Sequence, residues 1–291
     1  MITISAGHAV LTMPTAWDEL APADGRKFVS LCKALSDFEE GRIDFDQMRV
    51  LAVTALMGVR LGAMDPAAGH ASETIYRLIP YTDFLYVVRD SRASVRPVLC
   101  EQLLPELGGL RGYRFSLQGG VALDCDITAE QYVDAVSLMQ AFSATSDRAI
   151  LRRLVATLYC PKPYDAQLAA ALDFEATEEE QLAVYYNFRG ILEWVRALPT
   201  YDLIFRRPSG ESSRDGSPLG MAGSIFAIAK AGYGDISSIR RLDMFSYLGV
   251  LVQMTVDSVR SLASARMKPG EIADRLQLEM DQVLRITSEG V

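Results

Sequence analysis

With 49% hydrophobic and 23% charged side chains in 291 residues, the chain can bury a substantial core, which excludes wholesale disorder; at roughly 150 residues per domain, about two domains are expected. A formal net charge of -8 and a sequence pI near 5.0 repel a phosphate backbone over most of the surface. Nucleic-acid binding would therefore need a local basic patch, and the sequence holds no strong one.

Residues 2–12 alternate in the manner of a short strand or hairpin around Gly7, and Pro14 ends the pattern. Trp17, Asp18, Glu19 and Leu20 then lead into a helix whose apolar side is Phe28, Val29, Leu31, Cys32 and Leu35. A second helix is expected over 46–58, with Met48, Leu51, Ala52, Ala55 and Leu56 inward. Gly62, Gly69 and His70 read as a flexible loop.

A related pattern returns later at constant spacing. Leu20 corresponds to Ile127, Val29, Ser30 and Leu31 to Val136, Ser137 and Leu138, and Ala34 to Ala141; after a short deletion Val53, Ala55 and Leu56 correspond to Val155, Thr157 and Leu158. The expectation is a helical hairpin used twice, over 16–60 and 124–160. Between the copies, 83–89 and 113–117 are rich in β-branched and aromatic residues and read as short strands, and Pro97 and Pro105 bracket a helical turn or short helix. Asp124, Cys125 and Asp126 resemble part of a metal loop, but Ile127, Thr128, Ala129 and Glu130 read better as a helix cap.

Pro161 and Pro163 break the chain, and 178–198 forms an amphipathic helix through Leu182, Tyr185, Tyr186, Phe188, Ile191, Leu192 and Val195. Glu178, Glu179 and Glu180 suit the positive end of that helix. Linker composition over 206–216 sets the expected boundary between a helical body, 1–205, and a C-terminal helical unit, 217–291.

That unit opens with two helices joined at a glycine corner. Ser217 and Pro218 start the first, Leu219, Met221, Ile225, Phe226 and Ile228 make it apolar almost all round, and Gly232 stops it. Asp235 offers a fresh cap. From Asp243 the second carries Met244, Leu248, Leu251, Val252, Thr255, Val259 and Leu262 on one face, with Ser246, Gln253, Asp257, Arg260 and Ser261 on the other. A helix with more apolar surface than one neighbour can cover needs a second, so Leu219, Ile225, Phe226, Met244 and Leu248 are the candidate partner-binding or self-association residues.

Pro269 and Gly270 introduce a final helix pair that resembles a helix-turn-helix, with Ala273, Leu278 and Val283 at the packing positions and Gln277 in place of the usual turn glycine. A DNA-associated role through this segment is the alternative function. Asp281 and Glu279 beside Arg275 and Arg285 leave it poor in positive charge, which favours protein packing.

Nothing in the sequence forms a catalytic, cofactor or metal motif. His8 and His70 are isolated, Cys32, Cys100, Cys125 and Cys160 read as free, mostly buried thiols, and Gly232, Gly234 and Gly249 lack the spacing of a phosphate loop. The expectation is a non-enzymatic protein with no cofactor. The first ten residues have neither a basic nor an apolar leader region, and the apolar run 219–229 falls short of the roughly 20 residues a membrane span needs, so a cytoplasmic protein is expected.

Four phrases carry a family resemblance: Trp17, Asp18, Glu19, Leu20; Leu158, Tyr159, Cys160, Pro161 with Tyr164, Asp165; Tyr185, Tyr186, Asn187, Phe188, Arg189; and Ala229, Lys230, Ala231, Gly232, Tyr233, Gly234, Asp235. The chain resembles phage and prophage proteins associated with tail assembly chaperones of long-tailed phages, although Cys160 stands where a basic residue is usual. Helical periodicity accounts for most segments longer than ten residues, so a mainly α, multi-helical protein with a few short strands is expected. The resemblance implies a non-enzymatic helper that binds a helical apolar partner such as a tail-length or tail tube protein in the host cytoplasm, or a phage structural protein retained in the virion. The 11 methionines, Met244 and Met254 among them, suit an adaptable apolar groove, and core packing accounts for them equally well.

Overall fold

Long amphipathic segments of the sequence are helices, and the protein is mainly α with a few short two-stranded antiparallel sheets. The computed structural model describes residues 1–6, 9–59, 69–118, 122–206 and 220–288. The expected linker, beyond Arg206, lies outside them, as do His8, Gly62, the 119–120 glycine pair and the helix start at Ser217. The chain divides into two compact units, Met1–Asp124 with Phe142–Trp194, and Cys125–Ala141 with Val195–Val291. This departs from the boundary expected at 206–216, because residues 125–141 and 195–205 belong with the C-terminal helices.

The first unit begins with a hairpin of β1 (Ile2–Ala6) and β2 (Ala9–Met13). Trp17 does not continue into the following helix: Trp17–Glu19 and Pro22–Asp24 are separate 3-10 turns before α1 (Gly25–Glu39). The buried Trp17 indole instead donates to the carbonyls of Phe84 and Arg96, at 2.8 and 3.1 Å. Phe28, Leu31, Cys32 and Leu35 are fully buried along α1, which packs on α2 (Phe45–Met57). Asp44 caps α2 by accepting from the Gln47 amide, while the Gln47 side chain accepts from the Asp44 amide.

The segment read as a loop around His70 is in fact α3 (Gly69–Leu78), on which Ile75 and Leu78 are buried one turn apart. A 3-10 stretch, Ile79–Leu85, replaces the first part of the strand expected from 83, and β3 (Tyr86–Arg89) pairs with β4 (Arg92–Val95). Asp90 and Ser91 both take positive φ, the tight-hairpin geometry that joins twisted strands. Two further pairs follow: β5 (Glu106–Leu107) with β6 (Leu110–Arg111), and β7 (Phe115–Gln118) with β8 (Ala122–Cys125).

Residues 97–105 are not the expected helical turn. They form an irregular strap, buried at Leu99, Gln102, Leu103 and Leu104. A buried strap must pair its peptide groups without a ladder. Leu99 donates to the Gly190 carbonyl at 3.1 Å, Gln102 to the Phe115 carbonyl at 2.7 Å and Leu103 to the Asn187 side chain at 2.9 Å.

The expected duplication finds helices at both places, the second being α4 (Ala129–Thr145) and α5 (Arg148–Leu158). Leu20 and Ile127, Val53 and Val155, and Leu56 and Leu158 are buried in both, whereas Val29, Leu138 and Ala141 are only half-buried and their counterparts are buried. The tertiary roles differ. Helices α1 and α2 lie wholly in the first unit, whereas α4 belongs to the second unit as far as Ala141. After α5 come α6 (Ala166–Ala171), which the two prolines hid, and α7 (Glu178–Arg196), as expected.

The second unit continues through a 3-10 turn at Pro199–Tyr201, α8 (Asp202–Phe205), α9 (Gly220–Lys230), α10 (Ile236–Arg241), α11 (Met244–Ser264), α12 (Pro269–Leu276) and α13 (Met280–Ser288). Leu203, Val259, Ile272, Ala273, Leu278, Val283 and Ile286 pack as one apolar cluster among α8, α11, α12 and α13. The segment before α4 is stitched to the α10–α11 joint: Ala129 donates to the Leu242 carbonyl at 2.7 Å and Met244 to the Ile127 carbonyl at 2.8 Å. Thr128 caps α4 by accepting from the Gln131 amide at 3.3 Å.

Candidate functional site

Two elements concentrate unusual side chains: the α9–α11 region, where a partner surface was expected, and the middle of α7. Helix α9 ends in a Schellman motif, in which Tyr233 donates to the Ile228 carbonyl at 3.3 Å and Gly232, at φ 88°, donates to the Ala229 carbonyl at 3.0 Å. The two helices do not meet at this corner. The cap expected at Asp235 starts α10, accepting from the Ser238 amide at 2.9 Å, and Asp243 then starts α11, accepting from the Phe245 and Ser246 amides at 3.0 Å each. Burial alone would raise the Asp243 carboxyl, but the Ser246 hydroxyl and these amides hold it below the ordinary range.

The five candidate partner residues separate by exposure. Met244 and Leu248 are fully buried, and Ile225 is buried with Ile228 on the inner side of α9. They build the core, which corrects the expectation that Ile225, Met244 and Leu248 face a partner. Leu219 lies outside the described residues. Phe226 is 54% exposed, so α9, although apolar in composition, leaves one face uncovered. Tyr233, 37% exposed, lies just beyond the end of the helix and donates to the Asp257 carboxylate of α11. That hydrogen bond pushes the Tyr233 phenol above its ordinary value.

In the first unit, consecutive residues of α7 each engage a different neighbour. The Tyr185 ring meets Phe142 edge-on with centroids 4.9 Å apart, and the Tyr186 hydroxyl donates to Glu39 at 2.6 Å. Asn187, fully buried, accepts from the Leu103 amide and donates to the Glu101 carbonyl, both at 2.9 Å. Phe188 faces Tyr113, and Arg189 donates to both Glu39 oxygens at 3.0 Å and to the Val95 carbonyl at 2.8 Å. Burial first, and the Glu39 charge second, raise the Tyr186 phenol well above its ordinary value. For Arg189, burial opposes the charge but Glu39 outweighs it, so the guanidinium stays protonated.

A cleft of about 300 Å³ opens here, lined by Ser36, Glu39, Phe142, Ser143, Tyr185 and Arg189 among others. Both lining carboxylates are engaged: Glu39 accepts from Tyr186 and Arg189, and Glu40 accepts from the Ser36 hydroxyl and pairs with Arg42 and Arg148. Chemically this is a fastening of α1 to α7. The sequence reading placed Tyr185, Tyr186 and Phe188 inward but missed the cluster, whose signal was Asn187 and Arg189 standing within an apolar run.

Helices α12 and α13 pack through Ala273, Leu278 and Val283, as the helix-turn-helix resemblance implied, and Gln277 adopts the left-handed geometry usually taken by glycine. The face that α13 exposes carries Met280, Asp281 and Leu284. Arg285 is held by Asp202 at 2.9 Å and Arg206 approaches Asp281 at 3.3 Å, so these two cations answer acidic side chains of the protein itself. Among the described residues no three His, Cys, Asp or Glu side chains gather as a metal site, and none of the four cysteines is in a disulfide. No helix of the described residues is long and apolar enough to cross a membrane. No family model, curated protein or solved structure matches the chain.

Proposed function

We propose that this chain is a non-enzymatic assembly helper of the phage tail chaperone kind, which binds an apolar helical segment of a partner protein in the host cytoplasm. The observation that carries the reading is the 54% exposure of Phe226 on a helix whose Ile225 and Ile228 are buried. An aromatic side chain on a firmly capped helix supplies apolar contact area at small cost in conformational entropy. Tyr233, just beyond the end of the same helix and tied to Asp257, adds a second ring whose polar end is already satisfied. The tail-assembly part of the reading rests on the resemblance of the four sequence phrases.

The test is co-expression with the tail tube and tail-length proteins of a long-tailed phage or prophage, followed by native mass spectrometry of the purified complexes. Wild-type protein is expected to carry one of them, and Phe226→Asp to lose it while keeping a wild-type circular dichroism spectrum. Absence of both partners from the wild type, or a folded Phe226→Asp variant with undiminished binding, overturns the proposal.

A further inference from the structure

The β3–β4 hairpin carries an arginine face that the fold itself does not use. Side chains alternate along a strand, and the register sets Val87 opposite Ser94 and Arg89 opposite Arg92, so these four share one side. Arg96 continues that side beyond β4, its amide bonded to the Leu85 carbonyl at 3.0 Å. A cleft of about 390 Å³ opens against this face, lined by Val87, Arg89, Ser94, Arg96, Arg189 and Glu193 with the adjoining backbone. That volume lies within the roughly 300–1,000 Å³ typical of small-molecule sites.

The arginines bear on what the cleft receives. Arg89, Arg92 and Arg96 are exposed and, among the described residues, none is in an ion pair. Like charges directly opposite on a strand pair destabilise it, so Arg89 facing Arg92 is a cost that the hairpin does not repay internally. Arg189 meanwhile is fixed in place by Glu39 and the Val95 carbonyl. The cations are all arginines, whose planar forks match phosphate oxygens two at a time, and they lie on a chain of net charge -8 that repels anions elsewhere. Glu193 is the one carboxylate among the lining residues.

From this we infer that the β3–β4 face and Arg189 form a binding site for a small phosphate-bearing molecule, with Arg89 and Arg96 gripping the phosphate oxygens and Arg189 as the preplaced wall. The site is independent of the α9 surface and of the partner reading.

The probe is inorganic pyrophosphate, titrated calorimetrically at constant ionic strength. Wild-type protein is expected to bind it saturably at one site and to melt at a higher temperature in its presence. Arg89→Gln with Arg96→Gln should weaken binding at least tenfold, whereas Arg260→Gln with Arg275→Gln, exposed arginines of the second unit, should leave it unchanged. If the double variant is not folded by circular dichroism, Arg89→Gln alone is read in the same titration. No saturable binding by the wild type, an equal loss in the control variant, or full binding by the folded hairpin variant overturns the site. Tighter binding of a polyglutamate peptide or of a single-stranded oligonucleotide than of pyrophosphate overturns the ligand class.

Discussion

Replacing Asn187 by aspartate tests whether α7 and the buried strap are one structural device. Asn187 is fully buried and pairs an acceptor and a donor with complementary backbone groups, the Leu103 amide and the Glu101 carbonyl. An ionised aspartate keeps the first bond but sets an oxygen against the Glu101 carbonyl, two acceptors with no proton between them. Its charge is then buried, and buried carboxyls rise by up to about 3–5 units, each worth about 1.4 kcal/mol. At neutral pH the loss is therefore up to about 4 kcal/mol, since the unfolded value stays near 3.9. The sign follows: the folded-state value of the new carboxyl is raised, so the penalty is complete above that value and disappears as pH falls toward the unfolded one. Once protonated, the introduced carboxyl would donate to Glu101 as the amide did. Asn187→Ala, by contrast, orphans two buried groups at about 1–3 kcal/mol each, at every pH. Urea unfolding followed by circular dichroism at about pH 7.5 and about pH 4.5, each variant referred to wild type at the same pH, separates the two patterns. An aspartate variant within about 1 kcal/mol of wild type at the higher pH, or one whose deficit does not shrink at the lower pH, would refute the reasoning.

Two helical glycines should answer alanine in opposite directions. Gly249 on α11 has open space where a Cβ would go, so Gly249→Ala should stabilise by about 0.5–1 kcal/mol; at Gly190 the Cβ would meet Leu99 Cδ1 at 2.9 Å, so Gly190→Ala should lose about 1–2 kcal/mol despite the same propensity gain, both read from urea midpoints. Asp243→Ala should cost about 1–2 kcal/mol at neutral pH. Because the folded Asp243 carboxyl lies below its ordinary value, that contribution is present above the ordinary carboxylate range and is lost as pH falls through the folded value, so the gap to wild type should close below about pH 4. Phe226→Asp should lower stability by no more than about 1 kcal/mol, since about half of the side chain is already in water; loss of the folded spectrum would mean that this face is core.

Legibility in the sequence followed the source of each segment's order. Helices α1, α2, α7 and α11 hold their places by burying a stripe, and a stripe is visible as spacing; the buried set Phe28, Leu31, Cys32 and Leu35 falls where periodicity put it. The strap at 97–105 is ordered by Asn187 and Gly190, far away in sequence, so neither local propensity nor period announces it. Helix α10 has six residues, too few for a period, and only its Asp235 cap was readable. The make-up of the second unit is hidden from the sequence for a related reason. Two backbone bonds between 127–129 and 242–244 leave no side-chain pattern, yet with Tyr132 meeting Tyr247 they draw the start of α4 into that unit.

The same distinction governs the candidate surface. A helix rich in apolar residues indicates only that it has more apolar area than one neighbour covers; which side remains open is decided by the helices around it. On α11, Met244 and Leu248 are one turn apart and both fully buried, so a partner could reach them only by prising the unit open, at several kcal/mol for each large side chain. Phe226 requires no such opening. Its neighbours Ile225 and Ile228 hold α9 down while the Schellman turn and the Tyr233–Asp257 bond fix its end, so the exposed ring is presented on a supported helix. Partner binding through α9 therefore predicts that substitutions at Phe226 separate binding from folding, whereas substitutions at Met244 or Leu248 impair both together.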